Sequence, residues 1–174
     1  MNLFLVPASS ENIRATIARS VDIEIARQHL NPAQFENLKR VLGSRRSFNC
    51  WAMTKSKISV FKSMNPGDIV LLSIRGTGRF DYKATVVTKL ECRQFGESLW
   101  NVVPGKPWEL IYVLEDVSRI ELSKEKVVRS LGYRPNYQVP GVTRVKPEYM
   151  RNIANKYDSI DGFLNAMRNE ERLH

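Results

Sequence analysis

Three tryptophans, Trp51, Trp100 and Trp108, are the side chains of this 174-residue chain best suited to recognising another molecule. An indole ring offers a flat apolar face on which a nucleobase can stack, while lysines or arginines beside it hold the phosphates. Trp51 stands just before a basic turn, and Trp100 stands in a polar segment that contains Gly and Pro. Trp108 opens an apolar run, where a tryptophan is typically a core residue. Trp51 and Trp100 are therefore the better candidates for the two walls of a slot.

Positive charge flanks the first of these tryptophans. The chain has 27 Lys and Arg against 18 Asp and Glu, a net charge of +9, and residues 1–62 alone hold ten basic and four acidic residues. A surplus of this size attracts polyanions, although a solvated basic face is the simpler interpretation. The candidate phosphate-binding residues are Arg45, Arg46, Lys55, Lys57, Arg75, Arg79 and Lys106.

Groups that usually carry catalysis are scarce. The chain has two His and two Cys, and it contains no CxxC or HxxxH spacing that would hold a structural zinc ion. We therefore expect a binding module without a metal or a cofactor, and not an enzyme. One alternative is a metal-dependent nuclease, because Asp68, Asp81 and Lys83 could bring two carboxylates and an amine together around Mg²⁺ on adjacent strands. That pattern is weak, since Asp68 stands in a Pro-Gly-Asp turn where Asp is common anyway.

Hydrophobic periodicity and turn residues predict the elements that position these side chains. Strands are expected near residues 2–7, 48–53, 69–74, 80–91 and 108–117, and helices near 12–20, 22–43, 58–64, 124–131 and 147–171. Asn31-Pro32 should divide the second helical segment, and residues 93–107 should form a loop. The fold class is α+β, with about five or six strands in a small β-barrel or curved mixed sheet that helices flank.

Length and composition place the chain among ordinary globular proteins. A chain of this length suits a single domain over residues 1–174. No run of 18 apolar residues occurs, so no membrane span is predicted. Two cysteines in a chain of this size are typical of reduced thiols, which predicts a cytoplasmic protein.

Several segments resemble a YTH domain. These are Leu3-Phe4-Leu5-Val6, Ser10-Glu11-Asn12-Ile13, Cys50-Trp51-Ala52, the run from Ile69 to Phe80, and Leu99-Trp100 followed by Pro104-Gly105. The resemblance covers about residues 2–122, with 22–43 as a helical insertion and 123–171 as a C-terminal helical extension. YTH domains and the related EVE domains belong to the PUA-like superfamily, so the resemblance implies a small barrel that reads a modified base. With these additions, the chain looks most like the N-terminal specificity domain of archaeal McrB-type restriction proteins.

The resemblance implies a role for five residues. Trp51 and Trp100 match the two tryptophans that sandwich N6-methyladenine, and Asn12 matches the Asn whose amide donates to N1 of the base. Ala52 replaces a Ser or Thr, so its backbone carbonyl would accept the N6–H. Trp108 is the candidate for the third wall. A second polar position of the family falls on Ala8, and that departure leaves the identity of the modified base open.

The resemblance thus predicts a DNA-binding specificity module that flips a methylated base, with N6-methyladenine placed first, into an aromatic cage. It implies methylated double-stranded DNA, a GTPase motor in the same polypeptide and a nuclease subunit as partners, since this chain has no GxxxxGK[ST] loop. An RNA reader of N6-methyladenosine and a DNA reader of 5-methylcytosine are alternatives on the same fold. A protein-interaction domain whose tryptophans are core residues is a further alternative.

Overall fold

A mixed sheet of seven strands and eight α-helices make up the computed structural model, which describes residues 1–100 and 105–173. The strands are β1 (Leu3–Ala8), β2 (Val21–Asp22), β3 (Ser47–Met53), β4 (Ile69–Ile74), β5 (Arg79–Glu91), β6 (Leu110–Ser123) and β7 (Thr143–Arg144). Their order in the sheet is β2-β3-β6-β5-β4-β1-β7. β1 and β4 run parallel, and the other neighbouring strands are antiparallel. The predicted α+β class is confirmed, and of the two predicted arrangements, a small barrel or a curved mixed sheet, the structure shows the open sheet.

The helices cover both faces of this sheet. They are α1 (Ser10–Thr16), α2 (Ile23–His29), α3 (Pro32–Leu42), α4 (Ile58–Ser63), α5 (Arg93–Leu99), α6 (Lys124–Leu131), α7 (Pro147–Tyr157) and α8 (Ile160–Arg172). A 3-10 turn over Lys55–Lys57 precedes α4.

Side-chain alternation along the strands separates three apolar clusters. On β1, Phe4 and Val6 face α1 and α4, whereas Leu3 and Leu5 face the helices α6, α7 and α8. At the β3–β6 end of the sheet, Cys50 and other inward residues pack under α2, α3 and α5. The helices within residues 22–43 and those after residue 123 therefore pack against side chains of the sheet and complete its core.

Local cap chemistry explains where several helices begin. Asn31 and Gln34 form a reciprocal capping box at α3, in which each side chain accepts the backbone N–H of the other. Ser123 caps α6 and Ser159 caps α8. The starts of α3 and α6 agree with the division predicted at Asn31-Pro32 and the helix predicted from residue 124, because Ser, Thr and Asn satisfy the first free N–H groups of a helix.

Three predictions about elements differ from the structure. Residues 93–99 form the helix α5 and not a loop, because Phe95 is fully buried under the α2–α3 layer. The sheet has seven strands in the described residues, since β2 and β7 are two-residue strands at its edges and show no alternation in the sequence. The final long strand also continues to Ser123, beyond the predicted end at 117.

Candidate nucleic-acid interface

A cavity of about 510 Å³ opens at the end of the sheet where β3 finishes. Its walls come from the end of β3, the tip of the β4–β5 hairpin, the residue two positions before β6 and the segment that follows α6. It is lined by Pro7, Trp51, Ala52, Met53, Thr54, Lys57, Arg75, Gly76, Trp108, Lys124, Gln138, Val139, Pro140, Gly141 and Val142. A volume of this size falls within the usual range of small-ligand sites.

The strand β3 fixes Trp51 at the floor of this cavity. Trp51 lies opposite Tyr112 of β6, and its side chain is 1% exposed on the face that α1 and α4 cover. Ala52 also lines the cavity, opposite Ile111, and its methyl group points to the other face of the sheet. Trp51 and Ala52, which are consecutive in β3, thus both line the cavity, and their side chains lie on opposite faces of the sheet.

The three predicted tryptophans come together in one cluster. Between ring centroids, Trp51 lies 5.3 Å from Trp108 and 6.1 Å from Trp100, and Trp100 lies 5.5 Å from Trp108. Trp51 and Trp108 line the cavity, whereas Trp100 is 3% exposed and packs on the α2–α3–α5 side. The rings of Trp51 and Trp100 meet at 69°. A base stacked between two rings needs them parallel and about 7 Å apart, so this arrangement leaves no slot between these two.

The helix α5 lies very close to the backbone of Trp108 and so positions this residue. Trp100 ends α5, and its N–H donates to the carbonyl of Gly96. A Cβ atom on Gly96 would lie 1.8 Å from the carbonyl oxygen of Trp108. Only glycine therefore lets α5 lie this close to the chain that carries Trp108. In the sequence, this close contact is signalled by Gly96 alone, within a segment whose composition otherwise predicts a loop.

Asn12 is not among the residues that line the cavity. Asn12 lies in the first turn of α1, where its backbone N–H donates to the hydroxyl of Ser9 at 3.2 Å. It is half-buried. The proposed contact of its amide with a base therefore has no support from this arrangement.

Three cations surround the cavity. Lys57 and Arg75 were predicted from their position near Trp51 and at the hairpin tip, and Lys124 was missed. Over residues 1–100 and 105–173, no carboxylate lies within 4.0 Å of these three groups. Lys57 extends along Gly141, where an added Cβ would lie 3.1 Å from its Cε and 3.2 Å from its Nζ. Their charges are therefore available to an anionic ligand at the rim.

Lys55 and Lys106 line a second depression of about 460 Å³ beside the first. The Nζ of Lys55 lies 3.0 Å from a carboxylate oxygen of Glu91 and 3.3 Å from one of Glu109. Hydrogen bonds to these carboxylates, that to Glu91 first, raise the pKa of Lys55. Two acidic groups thus offset its charge. Pro104, quoted above for the resemblance, lies outside the described residues.

The remaining predicted cations lie away from the cavity or are paired with a carboxylate. Arg45 is 3.7 Å from Glu115, and its Nε donates to the carbonyl of Leu42. Arg46 precedes β3, whereas Trp51 lies near the end of that strand, which is about 16 Å away at 3.3 Å per residue. Arg79 lies 3.7 Å from the buried carboxylate of Asp81. The charge near residue 46 and the charge at the cavity are therefore separate patches.

The three residues of the nuclease alternative are occupied by structural contacts. Asp68 accepts the backbone N–H groups of Asn2 and Asn65, both at 2.8 Å. Asp81 accepts the N–H of Ile74 at 2.7 Å inside the β4–β5 hairpin. Among the residues that the structure covers, no group of three or more His, Cys, Asp or Glu side chains is placed to hold a metal ion.

Lys83 completes this alternative set, and its Nζ lies 2.6 Å from the carboxylate of Asp161 in α8. Asp68 and Asp81 are set about five residues apart along the paired strands, which is about 16 Å. The structure therefore does not gather the three groups around one site.

Across the described ranges, the helices are too short or too polar to cross a bilayer.

Comparison with known proteins identifies the architecture. No protein-family model matches the chain, and no curated protein matches it. Among solved structures, the N-terminal domain of Thermococcus gammatolerans McrB bound to m5C DNA matches with a TM-score of 0.66 and 20% identity, over 89% of this chain and 96% of that one. The Pho92 YTH domain in complex with m6A matches with a TM-score of 0.45 and 17% identity, over 92% of this chain and 87% of that one. The chain therefore has the fold of the McrB N-terminal domain, in agreement with the resemblance drawn from its sequence.

Proposed function

We propose that this chain binds DNA that carries a methylated base and takes that base, flipped out of the duplex, into the 510 Å³ cavity. The observation that carries the proposal is an indole floor, formed by Trp51 and Trp108, under a rim of three cations that have no carboxylate partner in the described residues. The fold supports it, because the McrB domain of the same fold was solved with m5C DNA.

The energies of such a step can be balanced. Flipping a paired base out of a duplex costs a few kcal/mol. Stacking on aromatic rings returns about 1–3 kcal/mol per base. The phosphate contacts of Lys57, Arg75 and Lys124 supply the remainder, so binding should weaken as salt rises.

The methyl group itself contributes little. Burying one methyl group is worth about 0.8 kcal/mol, or roughly fourfold in affinity. A stronger preference requires a penalty on the unmethylated base, such as a buried N–H without an acceptor. The expected preference for methylated DNA is therefore modest unless the cavity adds such a penalty.

Two methylated bases remain candidates, and different observations favour them. The sequence resemblance to YTH domains favours N6-methyladenine in a cage that includes Trp51, Trp100 and Trp108. The structural similarity to a domain bound to m5C DNA favours 5-methylcytosine. Trp51 and Trp108 line the cavity and Trp100 does not, and Trp108, which is half-buried whereas Trp51 is 1% exposed, is the better supported stacking surface.

We further propose that the chain acts as a binding module and leaves chemistry to other components. The resemblance to McrB-type proteins implies a GTPase motor in the same polypeptide and a nuclease subunit in a modification-dependent restriction complex. These partners, the single domain over 1–174 and the cytoplasmic location remain predictions from the sequence.

A titration of matched oligonucleotides tests the proposal. Duplex DNA with one 5-methylcytosine, one N6-methyladenine or no modification, and RNA with N6-methyladenosine, are compared at one fixed salt concentration by fluorescence anisotropy. Tighter binding of one methylated duplex is expected. Equal affinity for all the DNA duplexes would contradict the proposal, and a preference for the modified RNA would replace DNA by RNA as the ligand.

A further inference from the structure

The segment between α6 and β7 forms the wall of the cavity that faces the tryptophans. Its residues from Gln138 to Val142 line the cavity. Val139 belongs to the apolar cluster under α6, α7 and α8, and Val142 belongs to the cluster on the other face of the sheet. The segment is therefore anchored in the core on both sides of the sheet.

Aromatic contacts fix the start of the same segment. The ring of Tyr133 stacks on that of Tyr137 at 4.3 Å and 11°, and it meets the edge of Tyr149 at 4.9 Å. Burial raises the pKa of Tyr133, in keeping with its place under this stack. Gln138 follows Tyr137 and precedes the buried Val139, so its backbone is held on both sides. The side chain of Gln138 is itself exposed, so its polar head is accessible to a ligand while its backbone is anchored.

Gln138 carries the free carboxamide of the cavity. Its Nε2 makes one contact within the described residues, a 3.4 Å approach to the carbonyl of Asn136, which is longer than a usual hydrogen bond. The other uncharged polar side chain of the lining, Thr54, has its hydroxyl 2.7 Å from that of Ser56. The charged side chains of the lining, Lys57, Arg75 and Lys124, are donors only. Gln138 is thus the lining side chain that offers a carbonyl acceptor together with an N–H donor.

We propose that Gln138 selects bases with an exocyclic amino group, by accepting the amino N–H at Oε1 and donating from Nε2 to the adjacent ring nitrogen. Adenine presents this pair at N6 and N7, and cytosine presents it at N4 and N3. Guanine and thymine present a carbonyl oxygen at the corresponding place, which repels Oε1. Rotation of the carboxamide would accommodate thymine, but it would turn Oε1 toward the carbonyl oxygen of Asn136, which now lies 3.4 Å from Nε2. The inference rests on the proposed function and applies to both candidate bases, because 5-methylation leaves the cytosine edge intact and N6-methylation leaves one N6–H.

The proposal makes thymine the critical competitor. Thymine has the ring and the methyl group of 5-methylcytosine, and it differs at the 4-position and at N3. A cavity that used only stacking, methyl burial and phosphate contacts would treat the two bases alike. A bidentate amide contact discriminates by about 1–3 kcal/mol, which corresponds to about 5- to 150-fold in affinity.

The experiment compares target bases placed opposite an abasic site, so that the cost of unpairing is the same for each. The pairs are 5-methylcytosine against thymine, and N6-methyladenine against O6-methylhypoxanthine, which has oxygen in place of N6–H. Affinity is measured for the wild-type protein, for Gln138→Leu and for Gln28→Leu, a matched change on the exposed surface of α2 outside the cavity.

For the methylated base that the wild-type protein prefers in paired duplexes, we expect about 5- to 150-fold discrimination against its partner in the wild-type protein and in Gln28→Leu. In Gln138→Leu this ratio should fall to within about twofold, with an unchanged melting temperature. Persistence of the full ratio in folded Gln138→Leu would overturn the role of Gln138 and leave the proposed function standing. A wild-type protein that does not prefer methylated over unmethylated duplexes would overturn the proposed function, and the inference with it.

Discussion

The indole rings of Trp51 and Trp108 lie 5.3 Å apart between centroids and are tilted by 56° to each other at the floor of the cavity. They reach this corner from two directions, Trp51 at the end of β3 and Trp108 ahead of β6. Trp100 completes the cluster from the side of α5. Two of the three tryptophans thus line the cavity, Trp108 half-buried and Trp51 1% exposed, and Trp100 supports them from outside it.

Replacement of Trp100 by leucine tests that division. Because Trp100 is 3% exposed and does not line the cavity, Trp100→Leu should lower stability by a few kcal/mol through lost packing. The ratio of affinities for methylated and unmethylated DNA should stay close to that of the wild-type protein. Thermal unfolding and anisotropy measure the two effects. Loss of the ratio in a folded variant would instead assign Trp100 to the cage, as the sequence resemblance implies.

The salt dependence of binding should separate the two basic patches. Lys57→Ala with Arg75→Ala removes two unpaired cations from the cavity rim, so affinity for methylated and unmethylated duplexes should fall alike. Each lost phosphate contact should reduce the slope of log K against log salt by about 0.9. Arg45→Ala with Arg46→Ala is the matched pair and should change the slope less, because Arg45 already contacts Glu115. A larger change from the second pair would move the phosphate path to the opposite end of β3.

The close contact of Gly96 with Trp108 predicts a selective defect. In Gly96→Ala the added methyl group meets the Trp108 carbonyl oxygen at 1.8 Å, so α5 or the Trp108 backbone must shift. Overpacking of this kind typically costs about 1–3 kcal/mol of stability. Preference for methylated DNA should fall more than affinity for unmethylated DNA, whereas the exposed neighbour Gln94→Ala should behave as wild type. Equal preference in Gly96→Ala and Gln94→Ala would show that the position of Trp108 does not matter.

We expect Asp81 to stabilise the β4–β5 hairpin and to take no part in cleaving a phosphodiester. Its buried carboxylate accepts the N–H of Ile74 at 2.7 Å and lies 3.0 Å from the hydroxyl of Thr77. Asp81→Asn should cost about 1–3 kcal/mol, since one acceptor is lost in a buried place. DNA incubated with Mg²⁺ and either protein should stay intact on a gel. Cleavage by the wild-type protein that Asp81→Asn abolishes would restore the nuclease alternative.

Local chemistry made much of the fold predictable. The caps at Asn31, Ser123 and Ser159 and the β4–β5 hairpin depend on residues adjacent in the chain. The helix α5 depends on burial of Phe95 by α2 and α3, which are distant in sequence. Its composition alone therefore predicted a loop.

The candidate site was less predictable, because its lining comes from six separate stretches of the chain. Proximity in the sequence suggested Lys55 and Arg45, yet both have acidic partners in the fold. Lys124 and Gln138 reach the cavity only through the packing of α6 and the segment that follows it. The sequence could indicate which chemistry was present, but the packing decides which side chains share one space.

The most direct test of the central claim is the dissociation constant of Trp108→Ala for methylated and unmethylated duplexes, measured beside the wild-type protein at one salt concentration. Trp108 is only half-buried, so its removal perturbs folding less than removal of Trp51. We predict that affinity for the methylated duplex falls to that of the unmethylated duplex, because the stacking contact that repays the cost of flipping is lost, while affinity for the unmethylated duplex stays within about twofold of the wild-type value. An unchanged preference for methylated DNA in the folded variant would contradict the claim that this cavity receives the base.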